Sequence, residues 1–554
     1  MIKKVLFNCF LLFSTAVFSQ ADMPPELTAQ GEIEYCAGSQ VNITSYFDIT
    51  DPDDTTIESI SLQISTGYIK SEDRLSLIGN HPTISDSWDV DGGKLTLSGI
   101  NAAAVDIDDM IAAVNDVVYE SAATNPSGER YFSITIGNSN YLPSTDHYYQ
   151  YVAQDNISWT DAKDRAENST YYGLQGYLAT ILAQDEAQLC GKQAGGSGWI
   201  GGSDAETEGV WKWVTGPEAG TVFWNGGING SSPNFAFWNN DEPNNLNDED
   251  YAHITRPGIG LAGSWNDLRN VGEQDPDYIP RGFIVEYGGT PGDPQLKIAA
   301  STHLTIPEIT STTSGELCSP GNAALNATAN GGIIYWFEGA SGGEPIARGN
   351  TFNTPYISET KTFYVAAGPA DCFSGSREAV QVVVKDPPPA IKRDQVTISD
   401  NGNLYEIEIA YDSGSYTDDV EFAIDNAEGA YKSVPVFTNV TAGTHILYVR
   451  GIDQCATLDT QISVLGFPQY FTPNNDGYND LWAAQGVDLN VYTQISTTIF
   501  NRYGKLLAVL RNDLGWDGTF NGKRMPTDDY WFHMVLVDAE GIRTEKKGHF
   551  TLKN

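Results

Sequence analysis

Between residues 242 and 267 the chain sets oxygen-bearing side chains at spacings that suit a hard cation. Glu242-Pro243-Asn244 is followed by Glu249-Asp250 and then by Trp265-Asn266-Asp267. Calcium takes six to eight oxygens from carboxylates, amide carbonyls and backbone. Glu242, Asn244, Glu249, Asn266 and Asp267 supply such groups in two clusters that one loop can bring together. Asn244 follows a proline, which places its amide in a loop rather than a helix. No constellation for catalysis stands out. Gly339-Ala340-Ser341-Gly342-Gly343 has the spacing of a nucleophile elbow, but an elbow joins a strand to a helix. Here Glu344-Pro345 and another strand pattern follow, so a turn is expected. The 7 histidines are scattered, and neither an HExxH run nor a phosphate loop appears. The chain is therefore read as a non-enzyme, although paired carboxylates for glycoside hydrolysis are compatible with so acidic a sequence.

The elements that would position the oxygen cluster come in a definite order. Helix-period segments at Trp159 to Glu167 and Ala183 to Cys190 come first. Trp199-Ile200-Gly201-Gly202, Glu208-Gly209-Val210-Trp211-Lys212-Trp213, the oxygen cluster and a closing Gly282-Phe283-Ile284-Val285-Glu286-Tyr287 then follow. This order resembles the C-type lectin-like domain over its whole length, and the fold so implied is two helices, a core sheet and a long loop region. The resemblance implies that Glu242, Asn244, Glu249, Asn266 and Asp267 ligate one Ca2+, and that two neighbouring sugar hydroxyls complete its shell. It also implies a cis peptide before Pro243 and a role for Asp250 at a second calcium. Glu-Pro-Asn is the mannose-type order of that family. Trp199, Trp211, Trp213 and Trp265 are read as core rather than as sugar platforms. The family carries two disulfides, whereas this region has only Cys190, and Val285 stands where a cysteine is usual. Packing must replace those bridges.

The remainder alternates short β-branched and aromatic runs with Gly, Asn, Asp and Pro turns, for example at Ser59 to Ile64, Tyr131 to Ile136 and Gln381 to Val384. A weaker helical period spans Ala103 to Val114. The expected fold class is mainly β and multidomain, an α+β C-type lectin-like domain flanked by cadherin-like and Ig-like β-sandwiches. Residues 1–20 read as a signal peptide, with Lys3 and Lys4 ahead of an apolar run, and no later run approaches the length of a membrane span. The modules expected after it are 24–143, 147–289, 307–385, 390–465 and 467–554. The first, with Asp48, Asp51, Asp53 and Asp54, is loosely similar to cadherin-like repeats. In the third, Trp336 between Cys318 and Cys372 resembles an Ig-like sandwich, which implies a Cys318–Cys372 bridge. The pairing of Cys36, Cys190 and Cys455 stays open, each a candidate for a buried free thiol. The fourth reads as a spacer.

The last module is the most specific. Phe471-Thr472-Pro473-Asn474-Asn475-Asp476-Gly477-Tyr478-Asn479-Asp480, Phe500-Asn501-Arg502-Tyr503-Gly504, Gly515-Trp516-Asp517-Gly518 and Lys547-Gly548-His549-Phe550 resemble the gliding motility-associated C-terminal domain. That is a type B sorting signal of the type IX secretion system of Bacteroidetes. The resemblance implies export through that machinery to the cell surface or beyond. The Asn474 to Asp480 segment fits a calcium turn or a plain Asp-Gly turn, the latter favoured. With 31 Lys+Arg against 72 Asp+Glu the net charge is −41, which argues against nucleic acid and anionic membranes as partners. Two functions compete: a calcium-dependent carbohydrate-binding adhesin, and a protein-binding or matrix protein on a lectin fold that takes no sugar.

Overall fold

The computed structural model describes residues 23–554, apart from 138, 194–196, 257, 371, 373–375, 403, 512–513 and 540. The signal-peptide reading of residues 1–20 lies outside the described residues. The chain is mostly β and divides into two compact units. The first comprises the chain up to Thr312 with Ala327–Asn350 and Tyr364–Ala379; the second comprises Thr313–Asn326, Thr351–Phe363 and Val380–Asn554.

In the first unit, a six-stranded sheet runs in the order Glu32–Glu34, Ala299–Thr305, Glu129–Ile136, Ser59–Thr66, Lys94–Gly99, Ile84–Asp89. Alternation drives Ile60, Leu62, Ile64, Leu95, Leu97, Phe132 and Ile134 into one core. The helix Ile107–Asn115 covers it with Met110, Ala113 and Val114, and Asp106 caps its first turn by accepting from Asp108 N. Ala299–Thr305 corrects the expected module boundaries at 143 and 307. It pairs antiparallel with Glu129–Ile136, from Glu129↔Thr305 to Thr135↔Ala299. The first module therefore resumes after residue 297, and the lectin-like module is an insertion between two adjacent strands. Small inward residues hid this strand, since only Thr302 and Leu304 of its seven positions are buried.

The inserted module is built on Gly282–Tyr287. That strand pairs with His147–Ala153 and Leu174–Leu178, and lies parallel to Gly198–Ser203 at Trp199↔Phe283. Gly198–Ser203 then pairs with Val210–Trp213 and Tyr251–Ile254, and the latter with Trp265–Leu268. The helix Trp159–Glu167 is capped by Ser158, which accepts from Asp161 N at 3.1 Å. The second helix, Gln184–Ala187, continues as a π-helix over Gln188–Gln193, covering the expected segment. Trp211, Trp213, Trp238 and Trp265 share one core with Phe223, and Trp199 sits in another with Trp159, Ala162, Ala166 and Val285. All four tryptophans named from the sequence are buried. Apolar packing around Val285 occupies the place of the missing bridge.

The Cys318–Cys372 expectation is overturned. The disulfides are Cys36–Cys372, with Cα atoms 5.9 Å apart, and Cys318–Cys455, at 4.7 Å. Cys318 follows the end of the strand Gly315–Leu317, and Cys372 lies beyond the strand Lys361–Gly368. Both cysteines thus stand in loops outside the strands that enclose Trp336, free to reach cysteines of other modules. Cys36 and Cys455, whose pairing the sequence leaves open, are bonded; Cys190 is free and buried. Trp336 is fully buried and its indole N–H donates to Gly349 O at 2.9 Å.

In the second unit, two three-stranded sheets enclose the core of residues 391–464. The C-terminal module is a five-stranded sheet in the order Tyr470–Phe471, Arg543–Leu552, Asp528–Asp538, Tyr492–Asn501, Leu506–Arg511. It closes over Trp482, Trp516, Phe532 and Phe550. Asn521 and Gly522 both take positive φ between Thr519–Phe520 and Lys523–Arg524, as a two-residue hairpin turn requires. In the Asn474 to Asp480 segment, the Asp480 carboxylate accepts from the amides of Asn475 and Gly477, and Asp476 from Tyr478 N. Its carboxylates are spent on the loop's own backbone, the pattern of a plain turn.

Candidate functional site

The oxygen cluster is assembled by backbone pairing before any side chain acts. Trp265 N donates to Phe237 O and Asn239 N to Trp265 O, each at 2.8 Å, which docks the segment ahead of Glu242 beside the strand Trp265–Leu268. The Glu242–Pro243 peptide is cis. Asp241, Asn245, Asn247 and Asp248 all have positive φ, and short polar side chains tolerate that conformation best. The loop's Asn and Asp content is thus partly a backbone requirement.

Asp267, fully buried, holds the loop. Its Oδ1 accepts from Asn244 N at 3.1 Å and its Oδ2 from Asn245 N at 2.7 Å. Asn244 Nδ2 donates to Glu242 Oε2 at 2.6 Å. Glu249, buried, accepts from Leu246 N at 3.0 Å, and its own amide donates to Asn245 Oδ1 at 2.8 Å. Asn266 donates through Nδ2 to the Asp267 carbonyl at 2.9 Å, while its buried Oδ1 has no partner. The structure therefore links Glu242, Asn244, Glu249 and Asp267 through direct or one-residue contacts, with Asn266 next along the strand. Asn244 is the amide at the loop surface, and Asp267 is the post behind it.

The electrostatics are unbalanced. Burial, then Asp267, then Glu249 push the Glu242 carboxyl up to about 9. Burial and Asp267 push Glu249 up to about 7. Arg269 offsets Glu249 only in part, because its guanidinium is paired with Glu273 at 2.6 Å. Several carboxylates and an unpartnered buried amide oxygen form a donor set that suits a hard divalent cation.

A second group lies beside the first. Carboxylate oxygens of Glu208, Asp248 and Asp250 come within 4.8 Å of one another. Asp204, 3% exposed, accepts from Gly209 N at 2.9 Å through Oδ2 and leaves Oδ1 buried without a partner. Burial pushes its carboxyl up to about 7. Burial and then Asp248 raise Asp250; burial, then Asp250, raise Glu208. Asn245 ties the groups together, its Nδ2 donating to Glu208 Oε1 at 2.6 Å. Of these residues the sequence reading gave a calcium role only to Asp250, and quoted Glu208 only as part of the Glu208-to-Trp213 motif. Asp204 directly follows the strand Gly198–Ser203 and Glu208 lies in the turn before Val210–Trp213, but without the fold nothing ties them to residue 250.

Known families and proteins give this architecture context. Residues 305–386 match the family described as Ig-like domain CHU_C associated. Residues 465–552 match the CHU_C Type IX secretion signal domain. The protein is exported, to the cell surface or beyond it. Over 270 residues the chain is 38% identical to Halomucin of Haloquadratum walsbyi, a match covering 47% of this chain and 3% of that protein. It is 36% identical over 97 residues to CD209 antigen-like protein D of Mus musculus, covering 17% and 33% respectively. It is 28% identical over 130 residues to C-type lectin domain family 17, member A of Homo sapiens, covering 23% and 28%. The chain thus spans a third or less of each of these relatives. The C-type lectin similarity is weak and partial.

Proposed function

We propose that the protein is a calcium-dependent carbohydrate-binding adhesin, carried outside the cell by the type IX machinery and without catalytic activity. The observation that carries the reading is the uncompensated donor set. Glu242 and Glu249 are raised by burial and by Asp267, and Asn266 Oδ1 is buried with no partner. Leaving such groups unpaired is costly, and a cation removes the cost. Glu242, Asn244, Glu249, Asn266 and Asp267 would hold it, and Asp204, Glu208, Asp248 and Asp250 a second one. Calcium, when bound, supplies a positive centre whose open positions can take two neighbouring hydroxyls.

The chain's own residues do the remaining work. The Glu242 and Glu249 carboxylates accept hydrogen bonds from the sugar hydroxyls, and the Asn244 and Asn266 amides donate to them. Asp267 keeps Asn244 in place through the Asn244 and Asn245 amides. A glycan array probed with the full chain, in calcium and again in chelator, tests the reading. Calcium-dependent binding that Glu242→Ala or Asn266→Ala abolishes is expected, with mannose-type sugars preferred. A folded, calcium-loaded protein that retains no glycan overturns it in favour of a protein-binding scaffold.

A further inference from the structure

Neither disulfide lies within one module. Cys36 follows the strand Glu32–Glu34 of the first module and bonds Cys372 of the Ig-like module. Cys318 of the Ig-like module bonds Cys455, which stands between the strands Gly443–Gly451 and Thr457–Val464. Both crossings are also matched without sulfur. Beside the first, Tyr35 N donates to Thr305 O at 2.9 Å and Gly332 N to Glu34 Oε1 at 2.7 Å. Beside the second, Lys385 N donates to Leu317 O at 2.9 Å, and its ammonium meets Asp453 at 3.0 Å and Glu316 at 3.2 Å. Asp453 in turn accepts from Cys455 N at 3.0 Å. The bridges thus close contacts that the fold itself makes.

Their placement decides how tension travels. Residue 137 leads from the inserted module back into the first module, so a pull towards the C-terminal module leaves through residue 297. It runs along the strand Ala299–Thr305 into the Ig-like module without crossing the rest of the first module. At Cys318 two routes open, the backbone to Cys455 or the sulfur bridge. The sequence separation is 137, whereas the two Cα atoms are 4.7 Å apart. A closed cross-link keeps the ends of such a loop together, so the bridge takes the load and the loop takes none. Cys36–Cys372 acts one step earlier. Tyr35 is hydrogen-bonded to Thr305, and while the first module stays folded its bridge keeps Cys372 tied near that point.

We propose that the protein has a further function as an inextensible tether. The two bridges carry tension between the inserted module and the C-terminal module past the Ig-like module and residues 391–464, which stay folded under a pull that would otherwise unravel them. A Cys318–Cys372 bridge inside the Ig-like module would have left the residues from 372 to 455 in the load path. The inference takes from the adhesin reading only that head and tail are pulled apart. Its test involves no glycan, so either can fail without the other.

Single-molecule pulling tests it on the full chain, held at its carboxyl terminus and at an azide-bearing residue in place of the exposed Gln295. Extension of the C-terminal module is common to every form and cancels. Oxidised wild type is expected to show no extension from residues 318–455. Reducing the folded wild type should add about 450–490 Å, the length of 137 residues at about 3.3–3.6 Å each. Cys318→Ser with Cys455→Ser keeps Cys36–Cys372 and should add roughly 260–290 Å, about 80 residues at the same spacing. Reduction needs no substitution, so a variant that fails to fold leaves the test intact. Oxidised wild type that lengthens as far as the reduced protein overturns the proposal. So does reduced protein that gains no length, since its modules then hold unaided. A variant that gains the full reduced length overturns the part assigned to Cys36–Cys372.

Discussion

Replacing Glu186 with glutamine should make the inserted module more stable at alkaline pH and nearly unchanged at acidic pH. Glu186 and Glu286 are each 1% exposed. The single Tyr149 hydroxyl proton is shared between Glu186 Oε1 at 2.7 Å and Glu286 Oε1 at 3.1 Å. Glu286 has further donors, His147 Nδ1 at 2.6 Å and Thr180 N at 2.9 Å; among the described residues Glu186 has only the Leu182 amide besides. Burial, and then the Glu286 charge, push the Glu186 carboxyl from 4.5 up to about 7. The folded state therefore holds a proton that the unfolded state releases above about pH 4.5. The stability this confers is complete below that pH and gone above about pH 7. At about 1.4 kcal/mol per pH unit the loss is about 3 kcal/mol. His147, raised by its Glu286 partner against the effect of burial, shifts stability in the same direction and is present in both proteins. Glu186→Gln keeps an acceptor for Leu182 and has no proton to lose. Hydrogen exchange of peptides covering His147–Ala153 and Gly282–Tyr287 should show protection within a few-fold at pH 5, and on the order of a hundredfold higher in the variant at pH 8. Equal protection at pH 8 refutes the reasoning.

Three further outcomes follow from the same structure. Calcium at about 100 times its Kd should stabilise the inserted module by about 2.7 kcal/mol, and acidification from about pH 9 downward should weaken uptake, because Glu242, at about 9, and Glu249 and Asp204, each at about 7, must lose their protons to ligate; calorimetry at pH 5.5 and 9 measures both, and uptake independent of pH counts against the donor set. Peptide mapping of the unreduced exported protein should recover the pairs Cys36–Cys372 and Cys318–Cys455 with Cys190 as a free thiol; a Cys318–Cys372 peptide refutes the pairing. Removing residues 465–554 should hold the protein in the periplasm, read by fractionation, and undiminished surface display counts against the sorting role of that module.

What was legible in the sequence was what is local. Glu242-Pro243-Asn244 acts through its neighbours, so spacing alone was enough to single it out. What failed was long-range. The Trp336 pattern located an Ig-like core but not its bridges, because Cys318 and Cys372 sit past the strand ends and their partners lie in other modules, 336 residues apart for Cys36–Cys372 and 137 for Cys318–Cys455. Asp204 was overlooked, and Glu208 given no ligand role, because only the pairing of Gly198–Ser203 with Tyr251–Ile254 brings them beside Asp250. The strand Ala299–Thr305 was passed over because its inward Thr302 does not look apolar.

That overlooked strand changes how the inserted module is attached. A module at the end of a chain hangs from one linker, whereas this one leaves and re-enters between paired strands. Thr135 lies opposite Ala299, and Ile136 N donates to Ile298 O at 3.1 Å. Facing residues in an antiparallel pair have Cα atoms only about 4.5–5.5 Å apart, a gap that a two-residue Asn-Gly turn spans. The core of the first module draws its buried residues from outside the insertion, although Tyr171 donates to Ile136 O at 2.6 Å. Replacing residues 137–297 by Asn-Gly should therefore leave the six-stranded sheet folded, with amides of Ser59–Thr66 and Glu129–Ile136 still protected from exchange. The heat-capacity transition of the inserted module should disappear alone. Loss of protection in Ser59–Thr66 would show instead that the sheet depends on its guest, and that the insertion is a structural part of the host rather than a separable binding head.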